Sequence, residues 1–318
     1  GMLRSQNVIV PAVSWVTTVA PVIQLGLNPV LCDCDPDDLG LDLNHFESLL
    51  KKHSVAAAII VHVLGVPNRM KEIQYLCSKH NVILLEDCCE AHGSTYGGRK
   101  VGTFGLLSSF SFYYGHHIST IEGGMVCTNN IELNSIVKSI RSHGWSRDLP
   151  EFQKRGLEEK FEIKPFDSLY SFYFPGYNFR PTDLNAFLGI NQLDRLDDFV
   201  IKRNQNYITY MTKLGSLWKQ RNERAFVSNF AYGLISEHRE DIIKNLFAEG
   251  IECRPLICGS IGRQPFWTRK YGVCSLPNAD KVHRFGFYVP NNPSLNDEEI
   301  EFISQTILES VERNDSKS

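Results

Sequence analysis

No charge sign dominates this sequence: 33 basic residues stand against 36 acidic ones, a formal net charge of −3, without long runs of either sign. The basic footprint of a nucleic-acid binder is therefore missing. Internal repeats and low-complexity tracts are also absent. With 42% apolar, 22% charged and 11% aromatic residues, the chain is of ordinary globular composition, not disordered, collagen-like or coiled-coil. No Gly-x-Gly-x-x-Gly follows a predicted strand, which disfavours a dinucleotide-binding redox enzyme. Nine cysteines are an odd count for a secreted disulfide framework in 318 residues, so reduced thiols and a cytoplasmic location are expected. Between Arg4 and Asp33 there is no charge at all, a stretch long enough to span a membrane. Pro11, Pro21, Gly26 and Pro29 interrupt it, so it reads as strand, helix and second strand, with no membrane contact expected. No signal peptide is recognised, and Gly1 before Met2 reads as a remnant of tag removal.

What is present is an alternation of short apolar runs with helical patterns. Asn7–Val10, Pro29–Asp33, Ala56–Leu64 and Val82–Asp87 read as strands. Helices are expected over Leu43–Lys51 and Arg69–His80, with Asp42 and Asn68 as N-caps. Two more strands, Ser108–Tyr113 and Met125–Thr128, precede a helix over Glu132–His143. Repeated β-α units imply an α/β fold with a mainly parallel sheet sandwiched by helices. From Gly144 to Asn178 no period is clear, and a long functional loop is expected. One long helix is predicted over Thr182–Lys213, then strand Ala225–Ser236, helix Arg239–Glu249, strand Ile251–Ile257, loops, and a closing helix. That last helix opens with Asn296 and Glu299 in capping-box spacing. The expected division is a large domain over residues 1–181, then a bridging helix and a small α+β domain over 182–318.

Open α/β sheets bind ligands beyond the carboxyl ends of their strands. One strand ends Leu85-Glu86-Asp87-Cys88-Cys89-Glu90. A carboxylate there wants a partner, either nearby backbone amides or a cation such as the protonated ring nitrogen of pyridoxal phosphate (PLP). The residues alone leave both open. Further on, Ser111-Phe112-Tyr113-Tyr114-Gly115-His116-His117-Ile118-Ser119-Thr120-Ile121-Glu122-Gly123-Gly124 resembles the strand–loop–Glu-Gly-Gly segment of the DegT/StrS sugar-nucleotide aminotransferases, PLP enzymes of fold type I. In that family the residue six before the Glu of Glu-Gly-Gly is a lysine that bonds the cofactor; here it is His116. An imidazole cannot form that bond but can move a proton near neutrality. His narrows the resemblance to the family's pyridoxamine-phosphate (PMP)-dependent sugar 3-dehydratases. Val10-Pro11-Ala12-Val13-Ser14-Trp15, Gly102-Thr103-Phe104-Gly105-Leu106, His143-Gly144-Trp145-Ser146-Arg147, Pro175-Gly176-Tyr177-Asn178-Phe179-Arg180-Pro181 and Gly250-Ile251-Glu252-Cys253-Arg254-Pro255 extend it, in order, over nearly the whole chain.

The resemblance implies a PLP/PMP cofactor, with Asp87 on the ring nitrogen, Trp15 on the ring face, Glu90 near the ring hydroxyl and Ser111 at the phosphate. It makes His116 the acid/base and turns the loop bearing His143 toward the sugar. Asn178 reaches the phosphate of a neighbouring subunit in a homodimer, and Arg180 grips the carboxylate of glutamate, the amino donor, with a bidentate fork. The implied substrate is a nucleotide-linked 4-keto-6-deoxyhexose. A sister dehydratase with the same histidine carries an iron–sulfur cluster, but its cysteines match nothing between Ser142 and Lys160 here. Neither a cluster nor another metal is expected, and the adjacent His116 and His117 would point apart. The family's Ser-Gly-Ser/Thr-x-Ala turn, which opens a phosphate-binding helix, is not found. The chain is therefore expected to lack the family's N-terminal segment. An aminotransferase that tolerates histidine and a non-catalytic paralogue are the competing readings.

Overall fold

The computed structural model describes residues 5–315 apart from Lys219 and Asn222. The uncharged N-terminal stretch folds as β1 (Asn7–Pro11), α1 (Val16–Gln24) and β2 (Asn28–Cys32). No described helix is long and apolar enough to cross a membrane. Next come α2 (Leu43–Lys52), β3 (Val55–Val61), α3 (Met70–His80) and β4 (Ile83–Asp87). A hairpin of β5 (Thr95–Tyr96) and β6 (Arg99–Lys100) leads to β7 (Leu107–Ser111) and β8 (Gly124–Cys127). Six of these strands form one sheet in the order β2-β1-β3-β4-β7-β8. Only the β7–β8 pair is antiparallel, so the expected mainly parallel α/β sheet is present. β1 and β3 at its centre are near-continuous apolar runs, packed on one face against α1 and on the other against α2 and α3.

The chain continues through α4 (Ile131–Arg141), α5 (Glu151–Lys160), α6 (Asp183–Leu193) and α7 (Leu196–Leu214). Then follow β9 (Ala225–Phe226), β10 (Ala231–Ile235), α8 (Arg239–Ala248), β11 (Arg254–Pro255), α9 (Pro265–Tyr271), α10 (Pro277–Phe285), β12 (Gly286–Pro290) and α11 (Asp297–Asp315). β10, β12 and β11 make an antiparallel sheet, while β9 reaches back to pair with β5. The largest apolar core joins Val8, Val10 and Leu31 beside the first sheet to Ile235, Leu256 and Trp267 from the C-terminal part.

Several expectations need correction. The long helix 182–213 is two helices broken at Asp194–Arg195, because α6 keeps its apolar residues exposed whereas α7 buries Val200, Tyr207, Tyr210 and Leu214. Segment 144–178 contains α5, which carries the i,i+4 pairs Arg155–Glu151 and Lys154–Glu158. None of its side chains is buried, so no apolar stripe marks it in the sequence. The strand 225–236 is interrupted by buried, hydrogen-bonded Ser228 and Asn229. Only Arg254–Pro255 of 251–257 pairs, and the loops that follow contain α9, α10 and β12. Asp42 does cap α2, accepting from His45 N, and Asn296 with Glu299 completes its capping box. Asn68 is not a cap: its side chain accepts from Leu41 N and donates to the Val61 carbonyl, tying the loop before α2 to the end of β3.

Candidate active site

The site grows from the carboxyl end of the parallel sheet. Asp87 closes β4, where one oxygen accepts from the Thr18 hydroxyl at 2.8 Å and the other from Cys89 N at 3.1 Å. Among the described residues no cation pairs with it. Thr18 lies one turn into α1, and its amide donates to the carbonyl of Trp15, whose side chain is 57% exposed at the helix start. Trp15 and Asp87 are thus held together through Thr18. Glu90 follows on the turn after β4, with Oε2 accepting from Leu64 N at 2.7 Å. Burial, opposed by that amide and reinforced by Asp87, pushes its carboxyl up to about 8. Ser111 ends β7, and its hydroxyl accepts from Tyr113 N at 3.2 Å.

His116 stands in the polar connection between β7 and β8, its ring 5.2 Å from the ring of Phe230. Its buried Nδ1 has no hydrogen-bond partner among the described residues. Burial lowers its affinity for protons; the Cys89 carbonyl and Asp87 work the other way, Arg203 adds to the lowering, and the net shift is downward. A neutral imidazole with a free lone pair is what a proton acceptor requires. His117 turns elsewhere, with Nε2 at 3.0 Å from the Ser228 carbonyl, so that nitrogen carries the hydrogen. Beneath them Arg203 of α7 is buried, donating to the carbonyls of Phe230, Asn229 and Asn291.

His143, Asn178 and Arg180 form a second group. The chain after α4 lies against residues 172–179: His143 N donates to the Tyr177 carbonyl, Tyr173 N to the Gly144 carbonyl, and Ser142 bridges Asn178. The contact is so close that a Cβ on Gly144 would sit 1.8 Å from the Phe174 carbonyl oxygen, which requires glycine there. Arg180 Nε donates to Asn178 Oδ1 at 3.4 Å, and all three side chains are exposed. No hydrogen bond among the described residues joins them directly to Asp87 or His116. The link is Asn185, whose Nδ2 donates to the carbonyls of Thr120 and Glu122 in the His116 loop while its Oδ1 completes a capping box with Thr182. Sequence reasoning missed Thr18, Asn185 and Arg203. The Thr-x-x-Asn spacing was a readable signal for Asn185, and Thr18 follows Trp15 at helical i,i+3 spacing. Nothing local marks Arg203.

Glu86, on the opposite face of β4, serves the scaffold. Its oxygens accept from Gly102 N, Phe104 N and Gly105 N at 2.6–2.8 Å and face His62 Nε2 at 3.3 Å. Asn68 N donates to His62 Nδ1, so Nε2 carries the hydrogen toward Glu86. Burial works to raise this carboxyl, but His62 and the amides of Gly105 and Gly102 outweigh it and hold it below the usual glutamate range. Cys88 completes a buried trio of possible metal ligands with His62 and Glu86, but the carboxylate is already saturated by donors.

A strand-end carboxylate, an imidazole with an open Nδ1 and an exposed tryptophan at the carboxyl end of a mainly parallel sheet mark a candidate ligand site of an α/β protein. The profile of the DegT/DnrJ/EryC1/StrS aminotransferase family matches residues 1–308, and the chain belongs to that family. It is 34% identical over 299 residues to a GDP-4-keto-6-deoxy-D-mannose 3-dehydratase of Yersinia pseudotuberculosis, covering 91% of this chain and 75% of the relative. The lipopolysaccharide biosynthesis protein RfbH of Salmonella typhimurium is 33% identical over 317 residues, covering 93% and 72%. A crystal structure of GDP-4-keto-6-deoxymannose-3-dehydratase with a trapped PLP-glutamate geminal diamine superposes with a TM-score of 0.84 at 32% identity, covering 96% of this chain and 81% of that one.

Proposed function

We propose that this chain is a PLP/PMP-dependent 3-dehydratase acting on a nucleotide-linked 4-keto-6-deoxyhexose in deoxysugar biosynthesis of the lipopolysaccharide O-antigen type. The observation that carries the reading is His116, which stands where the family keeps its lysine and has a buried, unpartnered Nδ1. The residues fit the cofactor on their own terms. Among the described residues Asp87 has no cation and Glu90 Oε1 no donor, and the Trp15 ring lies open. These are the contacts a planar, protonated heteroaromatic ring would fill.

When bound, PMP supplies an amine for the C4 ketone and an electron sink. Asp87 would hold the ring nitrogen, Trp15 would cover the ring face, Glu90 would meet the ring hydroxyl and Ser111 would meet the phosphate. His116 Nδ1 would serve as the base that takes up a proton beside the ring, the role its open lone pair allows in an elimination that removes the sugar's C3 hydroxyl as water. His143 faces the sugar, and Arg180 orients the glutamate carboxylate through its planar fork. Overall, glutamate is oxidised to 2-oxoglutarate with release of ammonia, while the sugar's C3–OH becomes C3–H. Asn178 completes the phosphate site of a second copy. Supporting a homodimer, α6 leaves Leu184, Phe187, Ile190 and Leu193 between 62% and 77% exposed, an apolar face of the kind buried in subunit interfaces. Nine unpaired cysteines support work in the cytoplasm. Residues 1–181, which supply the whole six-stranded sheet, make the large domain, and 182–318 the bridging helices and small domain.

The test is incubation with PMP, glutamate and a GDP-linked 4-keto-6-deoxyhexose. Ammonia and 2-oxoglutarate should appear in equal amounts and His116→Lys should abolish ammonia release, its lysine becoming bonded to cofactor after borohydride treatment. Nitrogen retained on the sugar would make the chain an aminotransferase; no turnover with no cofactor bound would make it a non-catalytic paralogue.

A further inference from the structure

Two carboxyl groups stand three residues apart in this site and are built differently. Asp87 accepts two hydrogen bonds, from a hydroxyl and an amide. Glu90 accepts one, from Leu64 N, and no cation among the described residues reaches it. The Leu64 peptide is itself fixed: Leu64 adopts φ 53°, and its carbonyl accepts from Phe230 N and Asn229 Nδ2. The groups facing Glu90 are the Asp87 carboxylate, the Cys89 thiol and the Tyr288 phenol of β12, with Arg254 beyond Tyr288. The two thiol and phenol groups are held neutral, Cys89 by burial and Asp87 together, and Tyr288 chiefly by burial with Glu90 adding to the shift up to about 12. A second negative charge would therefore sit in a half-buried place beside an existing one, with a single amide to stabilise it.

We infer that Glu90 enters the site as a neutral carboxylic acid whose Oε1 side donates a hydrogen bond to an anionic ligand oxygen, while Asp87 acts only as an acceptor. Environments that push paired carboxyls apart divide acid from base roles. The group's ordinary value is 4.5 and it is moved to about 8, so the acid form prevails at neutral pH. Identifying that oxygen as the cofactor's ring oxygen rests on the function proposed above. The site would then favour the ring-oxygen anion, and raising the pH would place two carboxylates against it and expel it.

The test begins on protein without cofactor. Infrared spectra between pH 6 and pH 10 should show a protonated-carboxyl band that shifts when glutamate alone is carbon-13 labelled, titrates near 8 and is absent in Glu90→Gln. The label separates it from Asp38, and the wild-type titration serves even if the variant fails to fold. Absence of a labelled band at pH 7 overturns the inference. PLP binding, followed by tryptophan fluorescence, should then weaken about tenfold more between pH 7 and pH 9 in wild type than in Glu90→Gln, the factor for losing one proton at about 8. Equal pH dependence in the two would overturn the donor role. Failure of PLP to bind at any pH would instead defeat the cofactor reading and leave the infrared result standing.

Discussion

Substitution of Glu86 offers the most direct measure of how the scaffold holds the site. Its carboxylate is 2% exposed and takes hydrogen bonds from three backbone amides of the 102–105 loop and from the His62 ring. Glu86→Gln preserves shape, but one acceptor becomes an NH2 group that faces donors, either Gly102 N with His62 Nε2 or Phe104 N with Gly105 N. A buried donor left unmet costs about 1–3 kcal/mol, and breaking a buried pair about 3–5 kcal/mol. Water reaching the loosened loop offsets part of this, so the expected loss is about 3 kcal/mol. That is a large share of the roughly 5–15 kcal/mol that holds a domain folded. Urea unfolding followed by circular dichroism measures it, and hydrogen exchange should show Gly102, Phe104 and Gly105 amides losing protection together. The pH dependence has a definite sign. A carboxyl held below its unfolded value contributes stability above that value and loses it as pH falls through the folded one, so the gap between wild type and variant should narrow below about pH 4.5. A loss under about 1 kcal/mol at pH 7 with all three amides still protected would refute the clamp.

Asp38 should behave oppositely. Burial first and Asp35 second raise it to about 6 despite Arg69 and Arg221, so its stability contribution falls as pH rises from about 4 to about 6. Asp38→Asn keeps an oxygen for Gly40 N and should be about 1 kcal/mol more stable than wild type at pH 8, with the gap closing by pH 4; greater destabilisation at pH 8 than at pH 4 would contradict this. Phe187→Glu on the exposed face of α6 should turn a dimer into a monomer at micromolar concentration by light scattering, and an unchanged mass would remove α6 from the interface.

The sequence by itself determined the parallel half of this protein. Runs such as Ala56–Val61 are apolar along their length because that part of the sheet is covered on both faces, and helix caps such as Asp42 and Asn296 act within one turn, so both signals are local. His116, Asp87 and Glu90 stood out as candidates because their residue types depart from, or agree with, a family pattern at fixed spacing. Tertiary structure decided what spacing cannot encode. Whether 182–213 is one helix or two depends on which surfaces its faces meet, and α5 has no apolar stripe to announce it. Thr18 meets Asp87 across 69 residues, and Arg203 lies under the His116 loop with carbonyl partners 26 to 88 residues away. The protonation of Glu90 is the sharpest case. A glutamate next to cysteines reads as an ordinary carboxylate, and only the desolvation it meets between Leu64, Asp87 and Tyr288 makes it an acid.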